Sequence, residues 1–115
     1  MEIIIPLKAF SINNAFKGRH FKTKDCKNYE DDFFRVAPRK EMLKGVVEIE
    51  YQFFMKNHAS VDYDNLIKVT QDLLVKCGYL EDDRKIYKAT ILKIPSKEDY
   101  MRITIRQLTQ IGKVI

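Results

Sequence analysis

Two cysteines, two histidines and no long apolar run set the first limits on this chain. Cys26 and Cys77 stand far apart, without a Cys-x-x-Cys pair or a nearby histidine cluster, which argues against a thiolate zinc site. His20 and His58 have no ligand-spaced partner, so neither is assigned a metal. The opening stretch MEIIIPLKAF is apolar, but it carries Glu2 and Pro6 and is too short for a signal peptide or a span. No other stretch could cross a bilayer, so no membrane partner is expected. The expectation is a cytoplasmic protein with reduced thiols. Internal repeats, low-complexity tracts and linker-like runs are also missing. With 115 residues, this points to one compact domain over residues 1–115.

What is present is a mixture of 45% apolar and 32% charged residues, as in an ordinary globular domain, with a net charge of +5. A small basic protein of this kind often meets a polyanion. EIIIPLKAF reads as a short first strand that Pro6 places at an edge or ends. SINNAFKGRHFKTKDCKN reads as a basic loop with a loose hairpin at Lys17-Gly18. YEDDFFRVAPRKEML reads as a helix, acidic early and basic late, interrupted or kinked at Pro38.

GVVEIEYQFFM alternates, with Val47, Ile49, Tyr51 and Phe53 on one face, and predicts a half-buried strand. The period then changes. Leu66, Val69, Thr70, Leu73, Leu74 and Cys77 form one helical stripe, with Asp64 or Asn65 as cap and Gly78 as stop. IYKATILKI and MRITIRQL, joined by PSKEDY, read as two strands forming an antiparallel hairpin. The fold class is α/β: a small mixed β-sheet packed with two main helices, in the order β-α-β-α-β-β.

The chemistry concentrates in VDYDNLIKV. Asp62 and Asp64, if extended, point to the same side. Two such carboxylates repel unless a cation or proton joins them. Magnesium takes one or two carboxylates together with water and phosphate, so the spacing suits it. The other reading is a helix cap with a solvated neighbour. Lys68, four residues after Asp64, either offsets charge on a phosphate or makes a surface ion pair. GYLEDD adds Glu81, Asp82 and Asp83, a third carboxylate source if the loop returns to the same sheet edge. The basic loop holds Lys17, Arg19, Lys22, Lys24 and Lys27 with Phe16 and Phe21 between them, a pattern that suits phosphates and unstacked bases. Asn13 and Asn14 before it could turn the chain or bond to phosphate.

DYDNLIKVTQDLLVKCGYLEDD resembles the RusA family of Holliday junction resolvases. In that family a D-x-D-N-L-x-K segment enters a helix that ends at a glycine, an aromatic and, a few residues on, paired aspartates. Asp62, Asp64, Asn65, Leu66, Lys68, Gly78, Tyr79, Asp82 and Asp83 fall in that register without a gap, and Asn13-Asn14 echoes the family's amino-terminal region. The resemblance implies a magnesium-dependent endonuclease, manganese being able to stand in, that acts on branched DNA as a homodimer. It needs no small-molecule cofactor. It assigns the metal to Asp62, Asp64 and Asp83, with Asp82 as an additional candidate, and makes Lys68 the catalytic lysine. It also implies resolution of the junction by two symmetric nicks. One departure stands out. Family members can carry an arginine run before the D-x-D, where this chain has KNHASV. The basic loop must then do more of the DNA binding. The alternatives are a basic dimer that holds branched DNA without cutting, a nuclease for other branched nucleic acids, and an interaction protein with a fortuitous acidic loop.

Overall fold

The computed structural model describes residues 1–14, 16–17 and 21–108. Its strands are β1 (Glu2–Ile5), β2 (Phe16–Lys17), β3 (Phe21–Lys22), β4 (Val47–Met55), β5 (Ile86–Pro95) and β6 (Tyr100–Gln107). Its helices are α1 (Lys24–Val36) and α2 (Ile67–Lys76), with 3-10 turns at Ile12–Asn14, His58–Ser60, Tyr63–Leu66 and Asp83–Lys85. Four strands form a mixed sheet in the order β1-β6-β4-β5, and β2 pairs with β3 as the expected small hairpin. The Lys17-Gly18 turn reaches residues 18–20, which lie outside the described residues.

β4 has the alternation its sequence predicts. Val47, Ile49, Tyr51, Phe53 and Met55 are buried, and the residues between them are half-buried. These side chains join Ile3 and Ile5 of β1, Met101, Ile103 and Ile105 of β6, and residues of both helices in one apolar cluster. Cys26 and Phe33 contribute from α1 and Val69, Leu73 and Leu74 from α2. Leu73 and Leu74 are fully buried, each stabilising the fold by about 1.5–3 kcal/mol relative to exposure. The helices therefore cover one face of the sheet. The other face shows the stacked rings of Phe54 and Tyr100, with Arg102 over Phe54.

Three expectations are corrected. β5 and β6 do not form a hairpin, because β4 lies between them, parallel to β5 and antiparallel to β6. Their connector straps across the end of β4. Ser96 N–H donates to the Met55 carbonyl at 3.2 Å, and the Lys56 N–H donates to Asp99 Oδ1 at 2.9 Å. The pairing makes β4 an inner strand, buried at every second residue along its whole length.

The first helix starts earlier than its acidic run suggests, because the Thr23 hydroxyl accepts the Cys26 N–H at 3.1 Å and caps it. It ends at Val36, since Ala37, which precedes Pro38, is extended. Lys24 and Lys27 therefore belong to the first turn of α1 rather than to a loop.

The second helix is not capped by Asp64 or Asn65. A 3-10 turn comes first, closed by the Asn65 N–H donating to the Asp62 carbonyl at 3.2 Å, and α2 proper begins at Ile67. Its end does match expectation, because Gly78 adopts φ 79°, a left-handed conformation that suits glycine at a helix stop. Among the described residues no helix is long and apolar enough to cross a membrane.

Candidate active site

Parallel strands need a crossover, and α2 supplies it between β4 and β5. The entry to this crossover carries VDYD. Val61 and Asp62 are extended, and Tyr63–Leu66 then winds into the 3-10 turn. Asp62 and Asp64 thus flank the first residue of the turn, and both are exposed. Among the described residues, neither carboxylate has a hydrogen-bond or ion-pair partner. Asp62 and Asn65 line a cleft of about 310 Å³ with Ser11, Asn13, Ser60 and Val61. The Asn13 backbone N–H donates to the Ser11 hydroxyl at 3.3 Å. Asn13 is therefore brought to the acidic segment by tertiary folding.

Lys68 lies on the exposed side of α2. It pairs forward with Asp72, Nζ to Oδ1 at 3.5 Å, rather than back with Asp64. Both partners are about half exposed, so the pair is weak and its ammonium remains available. Next to it, Glu30 of α1 receives Lys22 Nζ at 2.6 Å and Lys76 Nζ at 3.3 Å. Burial pushes the Glu30 carboxyl up, but the two ammoniums outweigh burial and hold it below its ordinary value. The Glu30 hydrogen bond raises the Lys22 pKa in turn. Lys22 is thus committed to joining the β2–β3 hairpin to the helices, whereas Lys24 and Lys27 are exposed. Lys17 and Asn14 fall on described backbone, and Arg19 lies outside the described residues.

The three acids after Gly78 have separate roles. Glu81 Oε1 accepts the Gly45 N–H at 2.5 Å. Asp82 caps the turn Asp83–Lys85, accepting the Arg84 N–H at 3.0 Å and its guanidinium at 3.0 Å. The backbone N–H and then the guanidinium of Arg84 hold the Asp82 carboxyl well below the usual carboxylate range. Asp83, half-buried, is the acid of this group left without an ion pair among the described residues.

Asp83 does not meet Asp62 and Asp64 within the chain. It precedes the start of β5, whereas Val61 is held by Lys93 near the end of that strand. The two ends are separated by seven residues of β5, ~23 Å at strand rise, and by the length of α2, ~15 Å. The acidic loop does return to the sheet, but to the far end of the crossover. Among the described residues no three His, Cys, Asp or Glu side chains are placed to hold a metal ion together.

Lys93 is the residue that sequence reasoning missed. Its Nζ donates to the carbonyls of His58 and, at 2.6 Å, of Val61. A signal was there: Lys93 shares strand parity with Ile91, which packs against the core, and it pairs with core-facing Phe53. A lysine at a core-facing position needs a partner for its charge.

The family model of Endodeoxyribonuclease RusA matches residues 8–106, most of the chain. The chain belongs to the RusA family. Members of this family are endodeoxyribonucleases that resolve Holliday junctions, and RusA nucleases generally depend on a divalent metal. No curated protein matches the chain.

The matched span contains Asn13, the Asp62–Lys68 segment and Asp83, which are the residues the sequence pattern singles out. The donor set of this chain suits a hard divalent cation in part. Asp62 and Asp64 offer unpartnered carboxylate oxygens, and Asp62 lines a polar cleft with room for water and phosphate, a usual magnesium environment. Asp83 fits this set only if it comes from elsewhere than the same chain.

Proposed function

We propose that this RusA-family chain is a magnesium-dependent endodeoxyribonuclease that works as a homodimer and resolves four-way DNA junctions by paired symmetric nicks. The observation that carries this reading is the pair of exposed, unpartnered carboxylates two residues apart, Asp62 lining a polar cleft with Asn13 and Asn65 and Asp64 beside it in sequence, inside the family-matched span. Unneutralised acids in a DNA cleft would repel phosphate, which favours a cutting enzyme over a module that only holds DNA. Asp62 and Asp64 of one chain would hold the cation, and Asp83 would join them from a second chain. Manganese would stand in for magnesium at such an oxygen site. When bound, the cation polarises the scissile phosphate and eases deprotonation of the attacking water.

The chain's own residues do the rest. Asp62 and Asp64 would set where the cation, and through it the phosphate, sits. Lys68, released from its weak pair with Asp72, offsets the negative charge that develops in the transition state. Asn13 and Asn14 bond to the sugar–phosphate backbone, and Lys17, Arg19, Lys24 and Lys27 grip the flanking duplex. A twofold dimer presents two such sites to a junction of matching symmetry, hence two nicks.

The test is cleavage of an immobile four-way junction beside a matched linear duplex, with magnesium and with chelator. Paired nicks on the junction alone, lost with chelator, are expected. Asp64→Asn is expected to bind the junction and not to cut it. Wild-type cutting by that variant would refute the metal site, and equal cutting of linear duplex would refute junction selectivity.

A further inference from the structure

We propose that Lys93 is a positioning residue that sets the backbone of residues 58–61 and through it the aim of Asp62 and Asp64. The proposal rests on the reading of those two aspartates as metal ligands. In β5, Ile91 pairs with buried Tyr51 and packs against the core, and Lys93, two residues on, pairs with buried Phe53, which puts half-buried Lys93 on the same helix-covered face. A charged head in that position would be costly unless satisfied. Lys93 Nζ satisfies it with the neutral carbonyls of His58 and Val61. No carboxylate pairs with it among the described residues.

The position of these carbonyls matters. Val61 immediately precedes Asp62, and Val61 and Asp62 are the last extended residues before the 3-10 turn that carries Asp64. Besides the apolar packing of the Val61 side chain against the core, the segment has few other ties. Ser60 bonds back to the Asn57 carbonyl through its N–H at 3.2 Å and its hydroxyl at 3.0 Å, which shapes the segment locally without anchoring it to the sheet. The root is anchored where the Lys56 N–H reaches Asp99. Between that root and buried Leu66, Lys93 supplies the side-chain hydrogen bonds from the sheet to the segment. A charge-assisted donor to two carbonyls is stronger than a neutral one, and it leaves both aspartate carboxylates free. Partners that orient metal ligands in this way contribute to metal affinity without touching the metal.

The experiment compares wild type, Lys93→Met and Lys93→Arg. Backbone hydrogen exchange of residues 57–65 is measured in metal-free protein, and magnesium binding is measured by calorimetry. Junction cleavage is then followed across a magnesium titration. In Lys93→Met, faster exchange confined to residues 57–65 is expected, with β4 and α2 unchanged. Magnesium affinity should fall by about tenfold to a hundredfold, as for other groups that orient metal ligands. Excess magnesium should restore most of the maximal rate, and Lys93→Arg should recover most of the affinity.

Unchanged local exchange would overturn the proposal. So would unchanged magnesium affinity in the folded fraction, since the lysine would then serve only the fold. If Lys93→Met does not fold, Lys93→Gln carries the same comparison. If wild type neither binds magnesium nor cuts junctions, the metal reading fails. The exchange data would still decide whether Lys93 sets this segment.

Discussion

Mixing two inactive variants would test the division of the acids between two chains. Asp64→Asn removes a carboxylate from the crossover entry, and Asp83→Asn removes one from the crossover exit. Within one chain these positions stand at opposite ends of the crossover, roughly 15–23 Å apart by the lengths of α2 and β5. Oxygens sharing one magnesium lie at ~2 Å from it, so no side-chain rotation closes that gap. If each site joins Asp62 and Asp64 of one chain to Asp83 of its partner, each variant alone spoils both sites. In a mixed dimer the two losses fall on the same site and leave the other intact. Random pairing makes half the dimers mixed, each with one working site, so about one quarter of wild-type sites survive. The assay co-refolds the variants in equal amounts and follows cleavage of a labelled four-way junction. Each variant alone should be inactive. The mixture should nick at about a quarter of the wild-type rate and accumulate singly nicked junctions in place of paired cuts. A mixture as dead as its components would place all three acids in one chain, because every site would then carry a defect. Full activity of Asp83→Asn alone would remove that residue from the site.

Other outcomes follow from the same geometry. Glu30→Gln should cost about 1–2 kcal/mol at neutral pH, after discounting for the partly exposed ammoniums of Lys22 and Lys76. Thermal melting should show this as a Tm drop of ~3–8 °C. Because the folded Glu30 pKa is depressed, its contribution is present above the unfolded value and is lost as pH falls through the lower folded value. The difference between variant and wild type should therefore vanish in acid. The raised Lys22 has the opposite dependence: its contribution is full below the ordinary value of 10.5 and is lost as pH rises through the folded value. Asp82→Asn should retain magnesium-dependent cleavage that Asp83→Asn loses, because Asp82 is occupied with Arg84. Equal loss in a nicking assay would place both acids at the metal. Leu73→Ala, at a fully buried position, should destabilise the fold by ~2–5 kcal/mol in urea denaturation.

The readings that held are those with a local cause. Alternation in VEIEYQFFM specifies a strand with one buried face, and β4 has it. The stripe from Leu66 to Leu74 specifies a helix face, and Gly78 specifies its stop. The boundaries of α1 also have local causes: Pro38 ends it, as its sequence predicts, whereas the Thr23 hydroxyl caps its start upstream of the acidic run that suggests a later one. The hairpin expected from β5 and β6 failed for a different reason. A short connector brings strands close, but whether a third strand slips between them depends on burial across the whole sheet.

The candidate site divides in the same way. By itself the sequence determined that Asp62, Asp64 and Lys68 share one short segment, because chain neighbours two to six residues apart cannot be far separated. It also carried the RusA register. Only the tertiary structure decided that Asn13 joins this segment, that Lys93 braces it, and that Lys68 pairs with Asp72. Only the tertiary structure separated Asp83 from the other acids. A helix joining parallel strands runs back along the sheet, so residues at its two ends stand a strand length apart however close they lie in sequence.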